Sequence, residues 1–276
     1  MIRLAGVRKS YPGRAEVLSG VDLELAAARP VVVVGGNGTG KSTLLRIAAG
    51  CTAPSGGRVT GRPSVVGFLP GRVPASPRMP VRAYLRHLAA VHGVPRRRAA
   101  ERAETLLAEL GFGGDPDAPV AQLSSGNVRK VGLVQALSCG AGLLVLDEPW
   151  SALDARAAAA LDRLLPSEAA RTPVLVADHT GHGAALPGAL VLRLTGGRLV
   201  PESADVAMSP THEPGSTVVE LRCPGDPAAV LRVLPPAQES WAGPGSLTVR
   251  VPVARGDAVL VAAIGHGCSV LRVWRE

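Results

Sequence analysis

Short apolar runs and amphipathic stretches alternate along the first part of the chain. The run "PVVVV" at residues 30–34 is continuous and β-branched, which is typical of a strand buried on both faces. "VDLEL" alternates apolar and polar positions, so residues 17–25 predict a half-buried strand beside a first strand at residues 2–8. A helix is predicted over residues 41–50, and "SVVGFL" at residues 64–69 predicts a further strand. This order of elements indicates an α/β fold.

Residues 81–138 are predicted to be mostly helical, because their apolar positions recur at helical spacing. Two apolar faces result, the first with Val81, Leu85, Leu88 and His92 and the second with Ala103, Leu106, Leu107 and Leu110. A third helix is predicted to begin near Gly126. Strands and helices then alternate again in "LLVLD", "ALDARAAAALDRLL", "PVLVAD" and the hairpin-like "LVLRLTGGRLV".

The pattern changes after residue 200. Residues 201–216 are rich in Pro, Ser and charge, which is typical of a linker. The strands "TVVELRC" and "SLTVRVPV" then alternate with period two, with short helices near 227–234 and 255–265 and a closing strand, "SVLRVW". We therefore expect a main domain over residues 1–200, with a helical subdomain at about 79–140, and a small α+β domain over residues 217–276.

Composition narrows the class of protein. Hydrophobic residues make up 46% of the 276 positions but aromatic residues only 3%, so the core must be aliphatic, which suits buried parallel strands. The net charge is +8, yet the densest basic run, "PRRRAAER", has no interleaved aromatics and predicts a solvated helix start. We expect no nucleic-acid partner. The four cysteines are far apart in sequence and form no CxxC pair, so they are predicted to be reduced core residues of a cytosolic protein.

The chain shows no apolar run of signal-peptide or membrane-spanning length. Any role at a membrane is therefore expected to need a separate partner.

The segment "GGNGTGKST" fits the pattern G-x-x-x-x-G-K-[ST] and lies between a buried strand and a helix, as that motif requires. Its backbone N–H groups and the helix N-terminus would face phosphates, Lys41 would reach the β- and γ-phosphates, and the Ser42 hydroxyl would hold Mg²⁺. The predicted nucleotide-binding residues of this loop are Gly35, Gly36, Asn37, Gly38, Thr39, Gly40, Lys41, Ser42 and Thr43.

Two further strands end in residues that carry chemistry. "LLVLDEP" places Asp147 at a strand end, where it would join Ser42 in the Mg²⁺ shell, and Glu148 follows as a candidate base for the attacking water. "PVLVADH" ends near His179, whose side chain is predicted to reach the γ-phosphate. Glu148 and His179 are thus the predicted catalytic residues.

These motifs, in this order, resemble the ATP-binding subunits of ABC transporters. "QLSSGNVRK" resembles the family's signature motif, "SALD" its D-loop, and Tyr11 stands where the family has an aromatic residue that stacks on adenine. The resemblance covers about residues 1–200. It implies a P-loop NTPase core with a mixed or parallel sheet, an antiparallel β portion at the N-terminus and a helical insertion.

The resemblance also implies a mechanism and partners. Two subunits, identical or homologous, bury two ATP molecules between the P-loop of one and the signature helix of the other, so that contacts in trans would come from Ser124, Ser125, Gly126, Asn127 and Asp154. Closing and opening of the dimer would drive separate transmembrane permease subunits from the cytoplasmic face of the membrane. The C-terminal pattern resembles the extra domain of bacterial drug and antibiotic exporter subunits, which implies export.

The sequence departs from the family at three positions. The signature reads L-S-S-G-N instead of L-S-G-G-Q, so Ser125 would be strained if its φ were positive, and Asn127 is one methylene shorter than Gln. After "GFLP", Gly71 and Arg72 stand where the family usually has Gln or Glu.

"PVRAYLRHLAAVHGV" is predicted either to dock the membrane subunit or to pack as an ordinary amphipathic helix.

Two alternatives stay open at this point. The altered signature and the missing Gln favour an ATP-binding regulatory module that hydrolyses poorly. A soluble ABC-type ATPase of DNA repair or translation would usually carry two ATPase units or a coiled-coil insertion, which this chain lacks.

Overall fold

The computed structural model describes residues 1–13, 15–74, 78–202, 216–223, 226–231, 233–235, 237, 239–243, 245–252 and 255–275. The chain divides into two compact units, Met1–Glu202 and Ser203–Glu276. Most of the predicted linker, residues 203–215, lies outside the described residues.

The first unit contains two sheets among its described residues. Its strands are β1 (Ile2–Lys9), β2 (Leu18–Leu25), β3 (Pro30–Val34), β4 (Gly56–Thr60), β5 (Val66–Leu69), β6 (Leu143–Asp147), β7 (Val174–Ala177), β8 (Leu190–Thr195) and β9 (Arg198–Pro201). Its helices are α1 (Lys41–Ala49), α2 (Val81–Val91), α3 (Arg96–Glu109), α4 (Ser125–Ser138) and α5 (Ala155–Ala169), with a 3₁₀ turn at Val120–Gln122.

The larger sheet has the strand order β5-β6-β7-β3-β8-β9. Its neighbours pair in parallel except β8 and β9, which form the predicted antiparallel hairpin. Alternate side chains of β3 enter different cores, because Val32 packs with the helices α2–α5 whereas Val31 and Val33 pack on the side of α1. Burial on both faces explains the continuous apolar runs of these strands.

The smaller sheet, β2-β1-β4, is antiparallel and packs its apolar face against the α1 side of the larger sheet. It confirms the predicted antiparallel portion at the N-terminus. Strand β4 was not predicted, since only Val59 of its five residues is a large apolar one and most of the strand is exposed.

The helical region between β5 and β6 is confirmed, with one correction. The face of α2 that enters the core consists of Val81, Leu85 and Ala89, not of Leu88 and His92. His92 follows the last turn of α2 and is exposed. The buried apolar face therefore ends at Ala89, before the position that the spacing predicted. The second predicted face is correct: Ala103, Leu106, Leu107 and Leu110 are all buried.

The second unit is a small α+β structure. Its strands β10 (Ser216–Arg222), β11 (Glu239–Gly243), β12 (Ser246–Pro252) and β13 (Ser269–Arg275) pair antiparallel in the order β11-β12-β10-β13, with helices α6 (Pro227–Leu231) and α7 (Gly256–Gly265). Its core contains Cys223 and Cys268, whose Sγ atoms lie 3.7 Å apart.

The prediction for the cysteines holds for three of the four. Cys139, Cys223 and Cys268 are buried and free, but Cys51 is free and exposed. Cys51 follows Gly50, whose left-handed conformation ends α1 and turns the chain outward. Among the described residues, no helix combines the length and apolar character needed to cross a membrane.

Candidate functional site

The glycine-rich loop leads directly from β3 into α1. Gly40, the residue before α1, has a φ of 106°, and a Cβ there would lie 2.7 Å from Cγ1 of Val17. A Cβ at Gly35 would lie 2.8 Å from the carbonyl oxygen of Leu194. Both positions therefore require glycine, for conformation and for space. The loop thereby presents its backbone at the N-terminus of a helix.

Lys41, the first residue of α1, points back into this loop. Its Nζ donates hydrogen bonds to the carbonyl oxygens of Gly35, at 2.6 Å, and Gly36, at 2.9 Å. Burial lowers the pKa of Lys41, while the carboxylates of Glu148, Asp147 and Asp178 oppose the shift. The ammonium group is thus held among three carboxylates at the edge of the sheet.

Asp147 is the last residue of β6 and lies beside α1, with only 2% of its surface exposed. Burial raises the pKa of its carboxyl, a hydrogen bond from the Ser42 side chain lowers it, and the charge of Glu148 raises it again, with a net rise. Its Oδ1 is buried without a hydrogen-bond partner in the described structure. An unsatisfied carboxylate oxygen next to a serine hydroxyl is a donor set that suits a hard cation such as Mg²⁺.

Gly71 lies against the same carboxylate. A Cβ built at Gly71 would be 3.2 Å from Oδ2 of Asp147, closer than an ordinary contact. In this conformation the position has little space for a larger side chain. Arg72, the next residue, is exposed.

The two predicted catalytic residues meet at this edge. Nδ1 of His179 lies 3.0 Å from Oε1 of Glu148. Glu148 has a φ of 52°, in the left-handed region that non-glycine residues rarely adopt. Strained backbone of this kind clusters at functional sites, and here it belongs to the residue after the strand end.

Asp178, between β7 and His179, was not predicted. It is 1% exposed and accepts four hydrogen bonds: from the backbone N–H and hydroxyl of Thr180 and from the N–H groups of Gly181 and Gly183. Burial alone would raise the pKa of this carboxyl, but the four hydrogen bonds hold it below its ordinary value. Asp178 therefore fixes the loop that carries His179. The sequence signal was a charged residue directly after a fully apolar strand.

The signature residues form the start of α4. Ser124 is the N-cap, and its Oγ accepts a hydrogen bond of 3.3 Å from the N–H of Asn127. Oδ1 of Asn127 accepts one from the N–H of Gly113. Ser125 is not among the residues with positive φ, so the strain considered for it does not exist: it takes the ordinary helical conformation of a first-turn residue.

The start of α4 is tied to the D-loop of its own chain. A Cβ at Gly126 would lie 3.0 Å from the carbonyl oxygen of Ala152. Asp154 caps α5 through the N–H of Ala157 and also accepts a 2.6 Å hydrogen bond from Nζ of Lys130. In the described part of the chain, no hydrogen bond or ion pair joins Ser124–Asn127 to the glycine-rich loop, so this geometry brings the signature to the D-loop instead.

Sequence reasoning did not predict the two buried cations of α4. Arg129 and Lys130 are each 4% exposed, although they lie in a helix whose other residues are mostly apolar or small. Arg129 donates to backbone carbonyls directly after β5 and at the end of β6. Lys130 donates to Asp154 and to the carbonyl of Gly111. The signal available in the sequence was two adjacent cations in a helix that has no polar face.

Tyr11, the predicted adenine contact, lies just after β1. Nζ of Lys9 stands 5.1 Å from the centroid of its ring, a cation–π contact. The ring is partly buried.

Comparison with known protein families gives a match to the ABC transporter family over residues 18–151. The zinc import ATP-binding protein ZnuC of Cereibacter sphaeroides is 37% identical over 173 residues, which cover 62% of this chain and 69% of that protein. The aliphatic sulfonates import ATP-binding protein SsuB 3 of Nocardia farcinica is 36% identical over 213 residues, covering 75% and 82%.

Solved structures agree on the fold. The structure of an ATP-binding subunit of an ABC transporter matches with a TM-score of 0.67 at 22% identity, covering 74% of this chain and 90% of that one. A dimeric ATP-binding cassette in a post-hydrolysis state, bound to ADP and Pi, matches with a TM-score of 0.64 at 21% identity, covering 74% and 98%. At these identities the likeness shows the P-loop ABC cassette fold.

Proposed function

The chain belongs to the ABC transporter family as an ATP-binding subunit, and from this membership we propose that it hydrolyses ATP to drive substrate transport through separate permease subunits. The observation that carries the proposal is the convergence of Lys41, Ser42, Asp147, Glu148 and His179 at one edge of the sheet. We assign residues 1–200 to the ATP-binding domain and residues 217–276 to an accessory domain.

The proposed ATP site uses the loop of residues 35–43. Its backbone N–H groups and the N-terminus of α1 bind the phosphates, and Lys41 exchanges its loop carbonyls for phosphate oxygens. Tyr11 stacks on the adenine. Because transfer of the γ-phosphoryl group depends mainly on positioning and on stabilisation of charge, binding and orientation supply most of the catalysis.

The proposed base is Glu148. Its carboxylate orients and deprotonates the attacking water, and His179, 3.0 Å away, holds the carboxylate and reaches toward the γ-phosphate. The chain's residues fit Mg²⁺, since Asp147 offers an unsatisfied buried oxygen next to the Ser42 side chain. Bound Mg²⁺ would neutralise charge on the β- and γ-phosphates.

We propose that two copies, or one copy and a homologous subunit, form the working unit. The first turn of α4 presents backbone N–H groups and the positive end of the helix dipole, which suit a γ-phosphate presented from another subunit. Ser124, Ser125, Gly126 and Asn127 would make these contacts, with Asp154 nearby. A solved relative of the same fold is a dimer, which supports the arrangement.

The permease contact is proposed at α2. A groove of about 240 Å³ is lined by Met79, Ala83, Arg86, His87, Ala90 and Arg96. Side chains of a cytosolic helix of the permease would enter it, with acidic residues facing the two arginines. This would place the protein at the inner face of the membrane.

The direction of transport stays a prediction. The pattern of the C-terminal unit favours export. The relatives found by comparison are named for import of zinc and aliphatic sulfonates, and so lend export no support.

The test is steady-state phosphate release by the purified chain with Mg²⁺ and ATP. Glu148→Gln is expected to lower the rate by about 10²–10⁴-fold, because it removes the general base. Glu109→Gln, at the exposed end of α3, is the matched control and should be neutral. An unchanged rate in Glu148→Gln would overturn the assignment of this base.

A hydrolysis-impaired regulatory module is the second candidate, and the observation that favours it is Gly71, which offers no side chain toward Asp147. A single-turnover assay separates the two. Conversion of bound ATP within minutes supports the transport ATPase, whereas stable bound ATP supports the regulatory module.

A further inference from the structure

Arg129 is a buried cation with an unusual set of partners. It is 4% exposed and lies in α4, whose residues from Val128 to Val134 are all buried. A guanidinium group that leaves water must be compensated by hydrogen bonds or opposite charge. Burial lowers the pKa of Arg129, and the charges of Asp147 and Glu148 oppose this.

Its hydrogen bonds join two neighbouring strand ends. Nη1 donates to the carbonyl oxygens of Pro70, at 2.7 Å, and Gly71, at 3.2 Å, directly after β5. Nη2 donates to the carbonyl oxygens of Asp147 and Glu148, at the end of β6. One planar group therefore clamps four backbone carbonyls from two parallel strands.

Two of these carbonyls belong to residues whose own position is constrained. Glu148 has its φ at 52°, a conformation that has to be held by its surroundings. Gly71 lies so close to Asp147 that a Cβ would be 3.2 Å from the carboxylate. A shift of the segment after β5 would move the carbonyls of Pro70 and Gly71, to which Nη1 donates. The guanidinium group would move with them, and it also holds the carbonyl of Glu148.

We propose that Arg129 is the positioning residue of the reaction: it holds the backbone of Glu148 so that its carboxylate faces the attacking water, and it couples residues 70–72 to that position. This inference rests on the proposed ATP hydrolysis. It also gives the segment after β5 a connection to the base that does not depend on a side chain at Gly71.

The experiment uses the full chain and compares Arg129→Gln and Arg129→Lys with wild type. Arg129→Gln removes both the charge and the fork. Arg129→Lys keeps the charge, but its single ammonium group cannot span four carbonyls. Arg102→Gln is the matched control, since Arg102 also makes a short hydrogen bond, of 2.6 Å to Glu168, away from this edge. Glu148→Gln is measured alongside.

Two readouts distinguish positioning from a merely structural role. Misplacement of a catalytic group by about 1 Å costs on the order of 10²-fold, so Arg129→Gln is expected to lower kcat by about that factor. KM for ATP should stay within about twofold, because the phosphate-binding loop is not changed. Amide hydrogen exchange should rise in both segments, 66–74 and 144–153, and Arg129→Lys should fall between Arg129→Gln and wild type.

An unchanged kcat in Arg129→Gln would overturn the proposal. So would amide exchange that becomes faster in α4 but does not rise in both of the segments 66–74 and 144–153. If Arg129→Gln does not fold, Arg129→Lys decides by the same readouts, and wild-type kcat and exchange in that variant would overturn it. Failure of the proposed function is seen separately, as wild-type turnover in Glu148→Gln. The exchange data then still decide whether Arg129 links the two segments.

Discussion

Nδ1 of His179 lies 3.0 Å from Oε1 of Glu148, although the two residues follow different strands of the sheet. Strands β6 and β7 pair in parallel, so their carboxyl ends meet at one edge and bring the imidazole to the carboxylate. The contact gives the carboxylate a fixed orientation, which an exposed and unpartnered Glu side chain would lack.

We predict that His179→Ala lowers single-turnover ATP hydrolysis by about 10²-fold or more, because it removes a group that orients the base. Affinity for ATP, measured with a fluorescent analogue, should change little. His92→Ala, an exposed histidine after α2, is the control and should behave as wild type. Equal rates for the two variants would contradict a catalytic role for His179.

The four hydrogen bonds of Asp178 predict a large loss of stability in Asp178→Asn. Oδ1 accepts from Thr180 and Oδ2 accepts from Gly181 and Gly183, so an amide NH₂ would face N–H or O–H donors in either orientation. Each buried group left unsatisfied costs about 1–3 kcal/mol. Urea unfolding measures the change. Asp22→Asn, where one oxygen accepts from Gly6, is the matched control, because the amide oxygen can replace it.

The difference in unfolding free energy between wild type and Asp178→Asn is expected to depend on pH, because the pKa of Asp178 is lowered in the folded chain. The pKa of Asp178 is lowered from 3.8 in the folded chain, so its ionised form contributes stability above that value. The contribution is lost as pH falls through the lower, folded pKa. The gap between wild type and Asp178→Asn should therefore narrow in strong acid, and a constant gap would contradict the assignment.

Asp147→Asn is predicted to stabilise the chain without nucleotide, whereas Asp178→Asn is predicted to destabilise it. The folded pKa of Asp147 is raised from 3.8, so ionisation at neutral pH disfavours the folded state, and removal of the charge should raise Tm. Each kcal/mol corresponds to about 2–4 °C in a domain of this size. The gain should disappear as pH falls below 3.8. ATP hydrolysis should be lost in the same variant, and a lowered Tm would contradict the prediction.

The two altered signature positions, Ser125 and Asn127, are tested by separate substitutions to the residues that the family usually has. Ser125→Gly relieves no strain, because Ser125 has no positive φ, and it should destabilise α4 by up to about 1 kcal/mol without raising turnover. Ser167→Gly in the exposed part of α5 is the control for the intrinsic cost of glycine in a helix. Asn127→Gln lengthens the side chain that accepts from Gly113. Faster turnover in either variant would show that the altered signature slows the enzyme.

Local pattern was sufficient for much of this molecule. The run of residues 30–34, the glycine-rich loop and α1 each depend on neighbours in sequence, so they could be predicted with the residues of the phosphate loop. The same holds for Asp147 and Glu148, since a strand ending in two carboxylates is visible without any tertiary contact.

Tertiary structure alone decided how the buried charges are paired. Arg129, Lys130 and Asp178 have partners that lie far away in sequence or in loop backbone, and no spacing rule encodes backbone carbonyls as partners. The conformation of Ser125 and the exposure of Cys51 likewise depend on where helices begin and end in three dimensions. A periodic pattern determines which face of an element is buried, but the pairing of a buried charge is determined by the geometry of the elements packed around it.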